Sequence, residues 1–105
     1  MVKKMYLSEF QNRIHNWIIT HGGYWPPLAM LSAVIEEIGE LAKEINHFEG
    51  IKPKKDKNEG ANINEELADI LYALICIANY YKIDLNKELE EVIDKYAVRD
   101  SERFI

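Results

Sequence analysis

The chain has 105 residues, with 13 lysines and arginines against 18 aspartates and glutamates, and a formal net charge of −5. This length predicts a single domain, residues 1–105, because it leaves no room for a second hydrophobic core. An acidic chain with a pI of about 5.2 is not expected to be a general nucleic-acid binder, since such proteins carry a basic face.

The only cysteine, Cys76, lies in an apolar segment and has no intrachain partner for a disulfide. A single unpaired cysteine favours a reducing compartment. The sequence opens without the pattern of a signal peptide, and no uncharged segment reaches the ~20 residues that a membrane-spanning helix needs. We therefore expect a cytoplasmic protein that does not contact a membrane.

The first predicted helix covers residues 5–20 and ends at Gly22 and Gly23, whose backbone freedom disfavours a helix. Its N-cap is Ser8, unless the helix begins one turn earlier. Apolar residues recur along it at helical spacing: Leu7, Phe10, Ile14, Trp17 and Ile18.

A second helix is predicted to begin at Pro26 or Pro27, because proline is favoured in the first turn of a helix. Glu37 falls at the edge of its apolar stripe, and Glu40 and Glu44 lie further round on the same flank. The stripe itself comprises Leu31, Val34, Ile35, Ile38, Leu41, Ala42 and Ile45.

A lysine-rich loop is predicted over residues 50–61, followed by a capping box in which Asn62 is the N-cap and Glu65 reaches back to the Asn62 amide. That role makes Glu65 structural. The third helix covers residues 63–81. After Asp69 it is apolar on all sides, which predicts a buried central helix that another subunit partly covers.

A fourth helix is predicted to begin after Asp84, a suitable N-cap. Its expected inward face comprises Leu85, Leu89, Val92, Ile93 and Tyr96. Four helices in this order predict an all-α fold, a subunit resembling a four-helix bundle.

Two acidic stretches, residues 36–40 and 65–69, interrupt these apolar patterns. Helical residues three or four apart share a face, so Glu37 and Glu40 point the same way, as do Glu66 and Asp69. If the two apolar stripes pack together, the four carboxylates meet. Ligand sets made only of oxygen favour magnesium, manganese or calcium over zinc, and magnesium sites of this kind usually serve phosphates.

The alternative for these residues is a solvated acidic face, which is the common state of acidic residues on helices. Against it, Glu36/Glu40 and Glu40/Glu44 are like-charge pairs that each cost a few tenths of a kcal/mol, with only Lys43 among them. A second acidic pair recurs on another apolar helix, so the metal site is favoured. Glu44 and His47 have the Glu-x-x-His spacing of di-iron bundles, but that motif needs two copies and occurs here once.

Three cations and one aromatic residue are candidates for binding a substrate. Lys54 could close over phosphates or simply belong to a solvated loop. Lys95 and Arg99, one helical turn apart, could bind phosphate oxygens or stabilise a helix C-terminus. Trp25 could stack on a nucleobase or fill an interface.

The two acidic motifs are Glu36-Glu37-Ile38-Gly39-Glu40 and Glu66-Leu67-Ala68-Asp69, separated by 25 residues. In an all-α chain this combination resembles the MazG-like nucleoside triphosphate pyrophosphohydrolases, in particular their short bacterial and archaeal members. Further matching segments are Pro27-Leu28-Ala29-Met30, Lys52-Pro53-Lys54-Lys55 and the tail Lys95…Arg99-Asp100.

The resemblance implies hydrolysis of a nucleoside triphosphate between its α and β phosphates, giving monophosphate and pyrophosphate. The family's magnesium ligands fall on Glu37, Glu40, Glu66 and Asp69, with manganese as an alternative ion. Glu36 would orient or deprotonate the attacking water. The resemblance also implies a homo-oligomer, either a dimer or a tetramer.

A second function from another class is a non-enzymatic helical protein, such as a regulatory dimer that docks through its acidic face. Pyrophosphate release from nucleoside triphosphates distinguishes the two.

Overall fold

A computed structural model describes residues 6–50 and 62–101. They form four helices, α1 (Leu7–Thr20), α2 (Pro27–Phe48), α3 (Ile63–Tyr80) and α4 (Leu85–Ser101). These two ranges contain no strand, which confirms the predicted all-α class. None of the helices described is long and apolar enough to span a membrane.

The helices form two compact units. One, residues 25–77, contains α2 and most of α3. The other combines residues 1–24 with residues 78–105, and so contains α1, α4 and the last residues of α3.

Helix boundaries largely follow the local signals in the sequence. α1 begins at Leu7, after Tyr6, whose backbone is extended, so it starts before Ser8 and Ser8 is not the cap. At the other end the Gly23 amide donates to the Ile18 carbonyl at 2.9 Å, with φ of +111° at Gly22 and +88° at Gly23. α2 begins at Pro27, as its proline predicts.

The buried face of α2 differs from the predicted stripe. Met30, Val34 and Glu44 are buried, and Glu37 and Leu41 are half-buried. These five follow one another at intervals of three or four, which places them on one side of the helix. Four residues of the predicted stripe lie beside this face and are 42–62% exposed: Leu31, Ile35, Ile38 and Ile45. The single chain therefore buries a neighbouring face of α2 and leaves much of the predicted stripe in water.

α3 is covered only in part. Ile75 and Cys76 are buried, but Leu71, Tyr72 and Leu74 are 44–49% exposed. Burial raises the pKa of the Cys76 thiol, which keeps this cysteine neutral and unreactive. A single chain thus leaves much of the apolar surface of α3 in water.

In the other unit a buried polar residue, Gln11, joins α1 to the α3–α4 connection. Its side-chain amide donates to Asn79 Oδ1 at 2.9 Å and to the Ile83 carbonyl at 2.8 Å. Its Oε1 accepts from the Leu85 amide at 2.9 Å. Because both amide hydrogens and the oxygen are bonded, burial of Gln11 carries little desolvation penalty.

α4 packs against α1, and its start is as predicted. Asp84 Oδ1 accepts from the backbone amides of Asn86 at 3.0 Å and Lys87 at 3.3 Å. The prediction that one face of α4 points inward is wrong for the single chain, because α4 has no buried residue. Leu89, Val92, Ile93 and Tyr96 are 37–57% exposed.

Lys82 ends α3 in the left-handed conformation, with φ of +58°. The Ile83 amide closes the turn by donating to the Ala78 carbonyl at 2.8 Å. A side chain in this conformation costs roughly 1–2 kcal/mol. Glycine removes that cost, but it loses more conformational entropy on folding, so the net gain is smaller. We expect Lys82→Gly to raise the unfolding free energy by about 0.5–1 kcal/mol, measured by urea denaturation.

Lys82→Ala is the control, because it removes the same charge but keeps the Cβ atom. It should be no more stable than the wild type. A Lys82→Gly protein that unfolds at the wild-type urea concentration or below would show that the lysine side chain offsets its own backbone strain.

Candidate metal centre

Three of the four predicted ligands come together. Glu37 lies in the middle of α2, and Glu66 and Asp69 lie in the first two turns of α3. One carboxylate oxygen from each lies within 4.8 Å of the other two. The three-residue spacing of Glu66 and Asp69 puts both on the side of α3 that faces Glu37. The sequence-based expectation of an acidic cluster between these two helices agrees with this geometry.

The spacing suits a hard divalent cation. Ligand oxygens lie ~2.1 Å from magnesium and ~2.4 Å from calcium, so oxygens on opposite sides of one ion are about 4–5 Å apart. Carboxylates alone form an oxygen donor set, which favours magnesium, manganese or calcium. The described residues therefore fit such an ion without a large rearrangement.

Glu66 is the most perturbed member of the cluster. Its pKa is raised from 4.5 to about 7. The largest cause is a hydrogen bond with Glu37, which stabilises the protonated form of Glu66; desolvation and the negative charges of Glu37, Asp69 and Glu40 add to it. Negative charges this close to Glu66 disfavour its ionised form.

One oxygen of Glu66, Oε2, is buried and has no hydrogen-bond partner among the described residues. When Glu66 is ionised, this oxygen has lost water and gained no donor, which is an unfavourable state for a carboxylate. A cation bound between Glu66 and its two neighbours would satisfy it. This orphaned oxygen is independent of the clustering and points to the same kind of ligand.

Glu40, the fourth predicted ligand, is not a member of the close group. It is exposed, and its Oε1 lies 3.6 Å from Lys43 Nζ. Its charge nevertheless contributes to the raised pKa of Glu66, so it lies near the cluster.

Two further candidates belong to the same compact unit. Glu36 is exposed on α2, next to Glu37 in sequence. Trp25 precedes α2 and is 66% exposed, so it is not a core residue of the single chain. Lys54 lies outside the described residues.

Lys95 and Arg99 lie on α4, in the other unit. Lys95 Nζ is 5.1 Å from the centre of the Tyr96 ring, and Arg99 Cζ is 4.3 Å from it. Arg99 also donates to both carboxylate oxygens of Asp100, at 2.8 and 3.0 Å. A phosphate would have to compete with Asp100 for the Arg99 guanidinium.

The capping-box pattern assigns the acceptor of the Asn62 amide to Glu65 and does not predict this role for Glu44. Asn62 N–H donates to Glu44 Oε2 at 2.8 Å, so the acceptor is Glu44 and the capping role predicted for Glu65 is wrong. Glu44 is seven residues from Glu37, which places both on the same side of α2. That spacing was the available signal.

The chain is similar to proteins of one known family. The sequence profile of the MazG nucleotide pyrophosphohydrolase domain matches residues 26–104. The uncharacterised protein YpjD of Bacillus subtilis (strain 168) is 43% identical over 82 residues, which cover 78% of this chain and 74% of YpjD.

Two crystal structures are similar over most of their length. One is of YpjD from Bacillus subtilis, provisionally described as a pyrophosphatase, with a TM-score of 0.80, 37% identity and coverage of 91% of this chain and 98% of that one. The other is a Bacillus-conserved MazG protein, a nucleotide pyrophosphohydrolase, with a TM-score of 0.76, 34% identity and coverage of 90% and 92%.

Proposed function

Because the chain belongs to the MazG nucleotide pyrophosphohydrolase family, we propose that it hydrolyses nucleoside or deoxynucleoside triphosphates to monophosphate and pyrophosphate in a magnesium-dependent reaction. Manganese is the expected substitute ion. The observation that carries the proposal is the approach of Glu37, Glu66 and Asp69 to within 4.8 Å of one another. The matched residues run through both compact units, which supports the single domain predicted for residues 1–105.

Glu37, Glu66 and Asp69 would hold the divalent ion, and Glu40, exposed on the same helix as Glu37, would be a fourth ligand. A bound ion offsets the charge of the triphosphate and acidifies a neighbouring water. A bound ion would also give the buried Oε2 of Glu66 a partner.

Glu36 accepts the proton of the water that attacks the α-phosphorus. Glu36 shares a face of α2 with Glu40, four residues further on, which supports this role. Attack in line with the departing pyrophosphate leaves the α-phosphate on the nucleoside.

Three cations and one ring bind the rest of the substrate. Lys95 and Arg99 donate charge-assisted hydrogen bonds to phosphate oxygens, with Arg99 exchanging Asp100 for phosphate. Lys54, in the lysine-rich sequence between α2 and α3, is the third cation for the phosphates. Trp25 stacks on the base, which its 66% exposure permits.

The protein functions as a homo-oligomer, a dimer or a tetramer, in the cytoplasm. On α2 the exposed apolar residues Leu31, Ile35, Ile38 and Ile45 recur at intervals of three, four and seven. This regular apolar stripe supports association with a second copy, because monomers rarely leave so large a patch in water. The lone buried Cys76 supports a reducing compartment.

Incubation with a panel of nucleoside and deoxynucleoside triphosphates in ¹⁸O-labelled water tests the reaction. We expect pyrophosphate release that depends on magnesium, with the label in the monophosphate because water attacks the α-phosphorus. Label in the pyrophosphate would mean attack at the β-phosphorus. A folded protein that releases no pyrophosphate from any member of the panel would instead support the alternative function, a non-enzymatic regulatory dimer that docks through its acidic face.

A further inference from the structure

Glu44 is an acidic side chain that is only 7% exposed. Its Oε2 accepts a hydrogen bond from the Asn62 amide at 2.8 Å, across 18 residues of sequence. Burial of a carboxylate is strongly unfavourable unless its charge is compensated. The position of its partner explains how this one is tolerated.

Asn62 immediately precedes α3, which begins at Ile63. Backbone amides at the start of a helix have no acceptor within the helix, and the helix dipole places partial positive charge there. Glu44 therefore supplies an acceptor to the first turn of α3. The Asn62 carbonyl in turn accepts from the Glu66 amide at 3.0 Å, so this residue links Glu44 directly to the turn that carries a predicted ligand.

The same two helices meet at a second place, the carboxylate cluster. Along α2, Glu44 is two turns from Glu37; along α3, Asn62 is one turn from Glu66 and two from Asp69. The two contacts thus run in opposite directions along the helices, as antiparallel neighbours require. A helix held at one end by a hydrogen bond cannot slide or rotate freely at a site about 10 Å away.

We propose that Glu44 is a positioning residue for the metal centre. By holding the start of α3, it fixes the placement of that helix on α2 and keeps Glu66 and Asp69 at ion-binding distance from Glu37. The inference rests on the metal-binding part of the proposed function and assigns Glu44 no contact with the ion or the substrate.

The test compares manganese affinity, measured by electron paramagnetic resonance of free Mn²⁺, in Glu44→Ala, Glu44→Gln and Asp84→Ala. Glu44→Ala should weaken Mn²⁺ binding by roughly 10- to 100-fold, the usual effect of removing a group that orients metal ligands. Glu44→Gln should stay within about threefold, since its amide oxygen accepts the same Asn62 hydrogen bond. Asp84→Ala removes an equivalent cap from α4 and should lower the melting temperature without changing Mn²⁺ affinity.

Two results would overturn the proposal: wild-type Mn²⁺ affinity in Glu44→Ala, or an equal loss of affinity in Asp84→Ala, which would indicate general destabilisation. If Glu44→Ala lacks helical circular dichroism, Glu44→Asp replaces it. Its carboxylate is too short to reach Asn62, so weaker binding than in Glu44→Gln supports the proposal and equal binding overturns it.

The same titration separates this proposal from the reaction. A wild-type protein that binds Mn²⁺ but releases no pyrophosphate contradicts only the proposed reaction. A wild-type protein that binds no Mn²⁺ overturns the positioning role as well.

Discussion

Replacing Glu66 with glutamine should lower magnesium-dependent pyrophosphate release by at least about 100-fold, since even partners outside the ligand shell account for about 10- to 100-fold. Glu66 interacts with both other carboxylates: it shares a hydrogen bond with Glu37 and experiences the negative charge of Asp69. A neutral amide keeps the shape of this side chain and removes the charge that a cation needs. Steady-state measurement of pyrophosphate release at saturating magnesium checks the result.

Glu65→Gln is the matched control. It makes the same change at the neighbouring residue, which is exposed and is not part of the cluster. We expect nearly wild-type turnover from it. Equal losses in the two variants would mean that the negative charge of the α3 N-terminus matters in general and would contradict a specific role for Glu66.

Manganese should raise the melting temperature of the wild-type protein, and by more at pH 8 than at pH 6. A ligand present at 100 times its Kd adds about 2.7 kcal/mol to the unfolding free energy. The pKa of Glu66 in the folded, metal-free protein is about 7, against 4.5 as its ordinary value. At pH 6 a proton therefore competes with the ion, whereas at pH 8 it does not.

The same pKa fixes the behaviour of the metal-free protein. Between pH 4.5 and about pH 7 the folded state binds more of this proton than the unfolded state, so the contribution of Glu66 to stability is lost as the pH rises through that window. The difference in melting temperature between the wild type and Glu66→Gln, measured without metal, isolates that contribution. A wild type that gains stability relative to Glu66→Gln over this range would contradict the assignment.

Glu37→Gln should lose the manganese response while keeping its helical circular dichroism, because Glu37 is half-buried but makes its cluster contacts through its carboxylate. Glu49→Gln, at the exposed end of α2, should respond like the wild type. An unchanged response in Glu37→Gln removes that residue from the ligand set.

Local structure was largely predictable because its causes are local. Pro27 starts α2, Gly22 and Gly23 end α1, and the Asp84 side chain caps α4. Each of these effects depends on the conformational preferences of one or two residues. The acidic motifs also carried the resemblance to the MazG-like family, which the match over residues 26–104 confirms.

Which face of each helix is buried was less predictable. α2 has apolar residues around more than half of its circumference, so a helical wheel alone does not choose between neighbouring stripes. The chain buries Met30, Val34 and Glu44 and leaves Ile35 and Ile38 exposed. On α4 no residue of the predicted inward face is fully buried within the chain, since hydrophobic spacing predicts burial without identifying the surface that provides it.

The sequence by itself determined that this protein is helical and that two pairs of carboxylates lie on matching helix faces, because spacing along a helix fixes which side chains share a side. Only the tertiary structure decided which of them meet: Glu37, Glu66 and Asp69 converge, while Glu40 stays beside Lys43. It also gave the cap of α3 to Glu44 rather than to the nearby Glu65. A hydrogen bond across 18 residues depends on how two helices are placed, and local sequence preferences do not encode that placement.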